Sequence, residues 1–311
     1  MSCPNTLEQA IIRTVSWFSL FEYPLTSFEV WKYLFGKKAT LQEVDLCLYH
    51  SDYLQKHLEK KDGFIFFYNP TRSIEDILRK HHENYVDAIF KLKKIKRMLW
   101  FFRLFPSIEC VAACNSLAWF STTHKSDIDL FIIVKPGTIW ITRLCLVIPF
   151  VFLGKRPGQT IKDPFCFSFF LSSDNLNLEQ FAIKPKDFYL ALWAMSLIPF
   201  LNRGRTFEIF IERNQWVFND FPNNVFRQPH EELCQNIKKR ICIGFSWIER
   251  FARFIQWKRF PSTLKNIANK NTNVVISDQV LKFHIDDKRQ FFYEQWKKRI
   301  AIIICVFFLI V

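Results

Sequence analysis

Glycine is scarce in this chain, and the sequence has none of the features of a disordered or low-complexity protein. Only 7 of its 311 residues are Gly, against 36 Phe, and 50% of the residues are hydrophobic. This composition excludes a disordered or low-complexity chain, because there is ample apolar and aromatic surface to bury. No internal repeat is present. The length favours two or three modest domains over one compact unit.

The sequence also lacks a secretory signal and a complete membrane span. The stretch Met1 to Asn5 contains no basic region followed by an apolar segment and a small-residue cleavage site. The apolar run Ile300–Val311 follows basic residues but is shorter than the roughly 20 residues that a helix needs to cross a bilayer. The run is the first half of a truncated span, an interfacial anchor or the end of a buried helix. Membrane association through it is therefore an open alternative.

The cysteines show no zinc-binding arrangement. Nine are scattered along the chain, most of them inside apolar runs, where Cys behaves as a small buried hydrophobe. Cys110 and Cys114 are four positions apart, but no second Cys pair or closely spaced His pair accompanies them. This usage predicts a reducing compartment, the cytoplasm.

Acidic residues are outnumbered by basic ones. Lys and Arg together number 43 and Asp and Glu 29, which gives a formal net charge of +14. Such an excess favours polyanionic partners: nucleic acid, nucleotide phosphates or an anionic membrane surface. A Lys-rich composition inherited from an AT-rich genome would give the same excess, so the charge alone does not select a partner.

Helical spacing and two capping patterns predict three helices in the first 50 residues. The first covers residues 6–20, where apolar side chains recur every three or four positions. Thr26 with Glu29 and Thr40 with Glu43 have the Ser/Thr-x-x-Glu form of a capping box, so a helix should start at each.

An Asp-Gly turn predicts a β-hairpin after these helices. Asp62-Gly63 lies between the apolar segments Tyr53–Leu58 and Phe64–Tyr68, an arrangement typical of a tight hairpin. Three helices followed by a hairpin predict a winged-helix-like domain in residues 1–72.

The rest of the chain divides into a linking helix, a small sheet and a helical region. Residues 73–104 are basic and helical and end before Pro106. Runs rich in Val, Ile and Phe predict strands at 108–114, 128–134 and 165–171, with a buried helix at 140–153 and mainly helices at 179–257. The predicted fold class is α+β, with domains at 1–72, 105–178 and 179–311 and the linking helix at 73–104.

Two carboxylates stand at the start of the second predicted strand. Asp127 and Asp129 are two residues apart, so strand alternation directs both to one face. Like charges this close repel each other beside a hydrophobic core unless a cation offsets them. Mg²⁺ binds carboxylate oxygens together with substrate phosphates, so we predict that this pair holds Mg²⁺ or Mn²⁺.

Asn115-Ser116 lies at the end of the preceding strand, and ten residues separate Ser116 from Asp127. A turn there can direct backbone N–H groups and a hydroxyl at a phosphate. We therefore predict that Asn115 and Ser116 bind phosphate beside the carboxylate pair.

The string from Val111 through Asn115-Ser116 to Ser126-Asp127-Ile128-Asp129 and Val134 resembles the polymerase-beta-like nucleotidyltransferase superfamily. That pattern is an apolar strand, Gly-Ser or Gly-Gly, about ten residues, then Asp-x-Asp or Asp-x-Glu in a second strand. The resemblance covers roughly residues 105–175, which makes 105–178 the nucleotidyltransferase core.

The resemblance implies a reaction and assigns roles to residues. Asp127 and Asp129 would be catalytic metal ligands, and Ser116 would hold the triphosphate, while an acceptor attacks the α-phosphate and pyrophosphate leaves. Two positions depart from the pattern. Asn115 replaces the Gly before Ser116, and the third predicted strand contains no acid where the superfamily often has a third carboxylate, with Asp163 and Asp174 only at its edges.

The flanking segments resemble a family of uncharacterised microbial proteins that join a winged-helix-like start, this core and a helical C-terminal part. The residues that carry this second resemblance are Phe21 to Thr26, Asn214 to Trp216, Phe221 to Asn223 and Phe283-His284. It implies an architecture and no substrate.

The third helix, Thr40 to His50, has acidic residues and no Arg or Lys, which is poor for reading DNA.

Two functions follow from these observations. The first is a metal-dependent nucleotidyltransferase that moves a nucleoside monophosphate from a nucleoside triphosphate to RNA, a protein side chain or a small molecule. The second is a catalytically inactive, transferase-like regulatory protein that binds nucleotide or nucleic acid. Asn115 and the missing third acid favour the second, and pyrophosphate release separates the two.

Overall fold

The computed structural model describes residues 5–67, 73–160, 162–239 and 246–309, with side chains described as far as residue 302. Within these ranges the protein is a mixed α+β structure with a small and a large sheet. The small sheet, in the order β1-β3-β2, contains β1 (Leu25–Thr26), β2 (Leu58–Lys61) and β3 (Phe64–Phe67). The large sheet, in the order β8-β7-β4-β5-β6-β10-β9, contains β4 (Ile108–Ala113), β5 (Ile128–Val134), β6 (Phe165–Ser172), β7 (Ile198–Arg203), β8 (Gln235–Ile237), β9 (Val274–Ile276) and β10 (Val280–Phe283).

Helices precede, connect and cover these strands. They are α1 (Thr6–Ser19), α2 (Ser27–Lys32), α3 (Leu41–His50), α4 (Asp52–His57), α5 (Ile74–Arg103), α6 (Asn115–Ala118), α7 (Ile139–Phe152), α8 (Phe188–Ser196), α9 (Thr206–Arg213), α10 (Ser246–Arg259), α11 (Ser262–Ile267) and α12 (Arg289–Leu309). Two short 3₁₀ helices, Leu178–Phe181 and Gln215–Asn219, lie on either side of α8 and α9.

Both predicted capping boxes are confirmed. The Glu29 carboxylate accepts from the backbone N–H of Thr26 at 2.9 Å, and that of Glu43 accepts from Thr40 at 2.7 Å. Each threonine hydroxyl in turn accepts from the backbone of its glutamate. Because a capping box satisfies two otherwise unpaired backbone donors, α2 and α3 begin where the sequence places them.

The hairpin is confirmed, but its first predicted strand is largely wrong. Asp62 and Gly63 adopt φ values of 52° and 80° between the antiparallel strands β2 and β3, as a two-residue hairpin turn requires. Tyr53 to His57 belongs to α4 and not to a strand. The Ser51 hydroxyl accepts from the Leu54 backbone at 3.1 Å and so caps this short helix.

Two apolar layers enclose the large sheet. Along β4, Val111 and Ala113 belong to the layer with α5 and α7, while Cys110 and Ala112 belong to the layer with α8 and α9. The predicted strands β4, β5 and β6, the linking helix α5 and the helix α7 are confirmed. Because β5 and β6 run parallel, α7 serves as the crossover between them.

The prediction of a helical C-terminal region at 179–311 is wrong in part, because this region also contains four strands among the described residues. Strands β7 and β8 extend the large sheet at one edge beyond β4, and β10 and β9 extend it at the other beyond β6. Pro199 lies inside β7. It is accommodated because the register shifts beside its partner Ala112, and a proline cannot donate to a regular ladder.

The predicted membrane association through Ile300–Val311 is also wrong. Among the described residues, no helix is long and apolar enough to cross a membrane. The described part of the run belongs to α12, which packs against α1, with the Trp296 indole donating to the Arg13 carbonyl at 3.0 Å. The last two residues of the run, 310 and 311, lie outside the described residues.

Candidate metal and phosphate site

Three potential ligand side chains converge at the start of β5. One ligand atom each of Asp127, Asp129 and Cys166 lies within 4.8 Å of the other two, and all three side chains are partly exposed. The two carboxylates share one side of the strand, as their spacing predicts. The cysteine was not predicted as part of this group.

The strand register explains why Cys166 joins the carboxylates. In the parallel pair of β5 and β6, Asp129 is the register partner of Cys166, and Ile128 is that of Phe165. A register shift immediately after Asp129 interrupts the regular ladder there. The parallel register therefore places a thiol beside the Asp pair.

Burial raises the pKa of both aspartates. The pKa of Asp129 rises to about 6, because burial penalises its charged form more than hydrogen bonds from Asn115 and Cys166 favour it. Burial also raises the pKa of Asp127, against the positive charges of Arg156 and Lys91. A bound cation would offset the unfavourable charge of both groups.

Asn115 is the first residue of α6, at the turn that follows β4, and has a left-handed conformation with φ 54°. Its side-chain oxygen accepts from the Trp193 indole N–H at 2.8 Å, and its side chain also hydrogen-bonds to Asp129. The asparagine thus adopts the glycine-like backbone and fixes the second carboxylate. The backbone N–H of Cys114 donates to the Asp129 carbonyl at 3.1 Å and holds this turn against β5.

Ser116 follows in the first turn of α6, next to the carboxylate site. Its carbonyl accepts from the Ser121 backbone at 2.9 Å, which closes the loop after α6. Ser116 lines two adjoining cavities, and Asp129 lines one of them. The structure therefore brings Asn115, Ser116, Asp127 and Asp129 together.

The acids at the edges of β6 do not complete the site. Asp163 forms ion pairs with Lys94 and, at 3.5 Å, with the buried Lys91. Asp174 lies at the other end of β6, on the surface, where Gln279 donates to it at 3.4 Å. Among the described residues, no third carboxylate joins the pair.

The cavity that contains Asp129 has a polar, partly basic wall. Its volume is about 480 Å³, and its lining includes the segment from Lys282 to Arg289, which connects β10 to α12. Lys282 lies 3.5 Å from Asp287, and Arg289 pairs with Asp187 at 2.6 Å. Burial lowers the pKa of Lys282 to about 8. This segment was predicted to belong to a helical region, so its contribution to the cavity was missed.

The adjoining cavity is aromatic. It encloses about 280 Å³ between α1, α8 and the loop after α6. The aromatic residues of its lining include Trp17, Phe21, Trp119, Tyr189 and Trp193. Asn115 and Ser116 line both cavities, so a ligand with a planar part and a charged part could extend across them.

Two arginines near the site, Arg143 and Arg156, have partners within the protein. Arg143 lies between the Phe260 and Phe283 rings, 5.3 and 4.7 Å from their centres, and donates to Gln256 at 2.6 Å. Arg156, which was not singled out in the sequence, contributes positive charge at Asp127 and donates to the Phe165 carbonyl at 2.9 Å.

The site thus combines a carboxylate pair suited to a divalent cation with a turn whose serine faces two adjoining cavities. Comparisons of this chain with protein-family models, with curated proteins and with solved structures found no match.

Proposed function

We propose that this protein is a nucleotidyltransferase of the polymerase-beta-like type, which moves a nucleoside monophosphate from a nucleoside triphosphate to an acceptor. The observation that carries the proposal is the convergence of Asp127 and Asp129 beside the Asn115-Ser116 turn. Carboxylates hold the metal ions that stabilise the attacking and leaving oxygens in phosphoryl transfer, so this arrangement suits chemistry of that kind.

The order of elements around the site supports the same proposal. The Asn-Ser turn follows a buried strand, β4, and the Asp pair begins the antiparallel neighbour, β5. Before them, the four helices α1 to α4 and a three-stranded sheet in the order β1-β3-β2 fit a winged-helix-like domain with one additional short helix. The buried, free thiols of Cys110, Cys114 and Cys234 fit a protein that works in the reducing cytoplasm.

Asp127 and Asp129 would hold Mg²⁺ or Mn²⁺, with Cys166 as the third neighbouring group. When bound, the ion would polarise the phosphate oxygens and offset their charge. The side chains have complementary tasks. Ser116 offers its hydroxyl to a phosphate oxygen, and Asn115 keeps the Asp129 carboxylate in place through their hydrogen bond.

A second function, a regulatory protein that binds nucleotide without turnover, is favoured by one observation. The third position beside the Asp pair is a thiol and not a carboxylate, and burial and the neighbouring Asp129 raise the pKa of Cys166 to about 12. A neutral thiol contributes less to binding a hard cation such as Mg²⁺ than a carboxylate does.

Both functions require metal-dependent nucleotide binding, and calorimetric titration with a non-hydrolysable ATP analogue and Mn²⁺ tests it. We expect the native protein to bind the analogue only with Mn²⁺ and Asp127→Asn/Asp129→Asn to bind at least tenfold more weakly. Asp174→Asn, at an exposed acid away from the pair, is the matched control. Equal affinity in all three proteins, or no binding to the native protein, would contradict the proposal.

A further inference from the structure

The helix α10 exposes the side chains that helices normally bury. On its outer face, Trp247, Phe251 and Phe254 are 63%, 59% and 55% exposed. On its inner face, Ala252 and Gln256 are 1% and 4% exposed. These three aromatic residues follow one another at spacings of four and three, so they lie along one side of the helix. The usual amphipathic arrangement of a surface helix is therefore inverted in α10.

Polar contacts hold the inner face against α7. The Glu249 carboxylate accepts from the backbone N–H groups of Trp140 and Ile141 at 2.7 and 3.0 Å, and so caps the start of α7. Gln256 donates to the Trp140 carbonyl at 2.7 Å. These bonds fix the rotation of α10 about its axis, and this rotation turns the aromatic side chains outward.

The same contacts make the outer face basic. Glu249 is the one acid in α10, and its charge is directed inward at α7. Arg250 and Lys258 are exposed on the aromatic side, and the Lys258 ammonium lies 4.4 Å from the centre of the Phe254 ring. Arg253, on the flank, pairs with Asp278 at 3.0 Å. Positive charges and aromatic rings thus share one surface without a neighbouring acid from the helix itself.

We propose that this outer face of α10, formed by Trp247, Arg250, Phe251, Phe254 and Lys258, binds single-stranded nucleic acid. Unpaired bases stack on aromatic side chains, and the phosphates between them pair with Arg and Lys. In a helix that lies in a membrane interface, the basic and aromatic residues occupy opposite faces, whereas here they are interleaved on one. The inference is independent of the transfer reaction, since it requires neither metal nor turnover.

Fluorescence anisotropy with a labelled 20-nucleotide oligouridine and the full-length protein tests this proposal. We expect Trp247→Ala/Phe251→Ala/Phe254→Ala to weaken binding at least tenfold. The matched control is Phe28→Ala/Tyr49→Ala, which removes aromatic side chains that are 53% and 60% exposed on α2 and α3 and should leave the affinity unchanged. Circular dichroism verifies that each variant is folded. Oligothymidine in a parallel titration shows whether RNA or DNA binds more tightly.

The contribution of the basic residues to nucleic-acid affinity is measured separately. For Arg250→Gln/Lys258→Gln, the dependence of affinity on salt concentration should become shallower, by roughly one unit of the logarithmic slope for each phosphate that the variant no longer neutralises. If the aromatic triple variant binds oligouridine as tightly as the native protein does, the proposal is wrong. The proposal is also wrong if the native protein does not bind oligouridine. If the triple variant loses binding to phosphatidylserine vesicles but still binds oligouridine, the proposal is overturned and the face binds an anionic membrane surface instead.

Discussion

The side chain of Asn115 hydrogen-bonds to the carboxylate of Asp129 and accepts a hydrogen bond from the Trp193 indole at 2.8 Å. One residue therefore connects the turn after β4, the carboxylate on β5 and the helix α8. Its left-handed backbone, with φ 54°, is the conformation in which Asn is among the best tolerated residues after Gly. The departure from the Gly-Ser pattern is thus compatible with the same turn and adds a hydrogen bond to Asp129 that glycine could not make.

Replacing Asn115 separates its backbone role from its side-chain role. Asn115→Ala should lower the free energy of unfolding by about 2–4 kcal/mol, because alanine is strained at positive φ and the buried Trp193 N–H is left without its acceptor. Asn115→Gly should cost about 1–2 kcal/mol less, since glycine removes the backbone strain. Urea unfolding measures both values. Equal destabilisation of the two variants would show that the positive φ contributes nothing to stability.

The raised pKa of Asp129 predicts a pH-dependent cost to stability. The carboxyl has a pKa of about 6 in the folded protein and about 4 when unfolded, so between these values the folded state binds more protons. Stability contributed by this group therefore falls as the pH rises from 4 through 6. Without metal, Asp129→Asn should stabilise the protein at pH 7.5 by on the order of 1–3 kcal/mol, and by much less at pH 4.5.

Urea unfolding in EDTA at both pH values measures this difference, with Asp174→Asn as the exposed-acid control. If Asp129→Asn changes the free energy of unfolding by the same amount at pH 4.5 and 7.5, ionisation of Asp129 does not destabilise the folded protein. Destabilisation at pH 7.5 would mean that contacts of the ionised carboxylate outweigh its burial.

Replacing Cys166 should change how strongly Mg²⁺ stabilises the protein. Cys166→Asp places a third carboxylate beside Asp127 and Asp129, so it should lower the melting temperature in EDTA through like-charge repulsion. Added Mg²⁺ should then raise the melting temperature of this variant more than that of the native protein. Cys166→Ser, which keeps the size and adds no charge, is the control. Identical Mg²⁺ responses in all three proteins would indicate that position 166 does not contact the ion.

His284, which lines the same cavity as Asp129, predicts a pH effect of opposite sign. Burial lowers its pKa to about 4, with further lowering from Lys282, against an unfolded value of about 6.5. The unfolded state therefore binds more protons as the pH falls from 6.5 towards 4, and this group makes the fold less stable over that range. His284→Gln should reduce the acid-induced loss of stability by on the order of 1–3 kcal/mol.

Denaturation midpoints in urea at pH 7.5, 6 and 4.5 follow this effect, with the exposed His50→Gln as control. If the native protein and His284→Gln lose stability in parallel over this range, His284 is protonated as easily in the folded as in the unfolded chain.

Features encoded within a few residues were predicted from the sequence. The capping boxes at Thr26 and Thr40 act over three positions, and the Asp62-Gly63 turn is local in the same sense. Strand β5 was recognisable because its apolar run is continuous, as expected for a strand buried on both faces. The Asp127 and Asp129 pair follows from alternation along a single strand.

Features that depend on distant pairing were missed. Strand β7 contains Pro199, and a strand tolerates proline there only because its ladder with β4 shifts register at that point. Cys166 carries no local sign of a site, since it stands in a run of Phe residues. It meets Asp129 through the parallel register of β5 and β6, which their sequences alone do not specify.

Pyrophosphate release measures directly whether Asp127 and Asp129 support nucleotidyl transfer. The native protein is incubated with each nucleoside triphosphate, Mg²⁺ or Mn²⁺ and mixed RNA, protein and small-molecule acceptors, next to Asp127→Asn/Asp129→Asn and the Asp174→Asn control. We predict metal-dependent release by the native and control proteins that the double variant lacks. Release that persists in the double variant, or no release from the native protein with any acceptor, would contradict the assignment of transferase activity to this site.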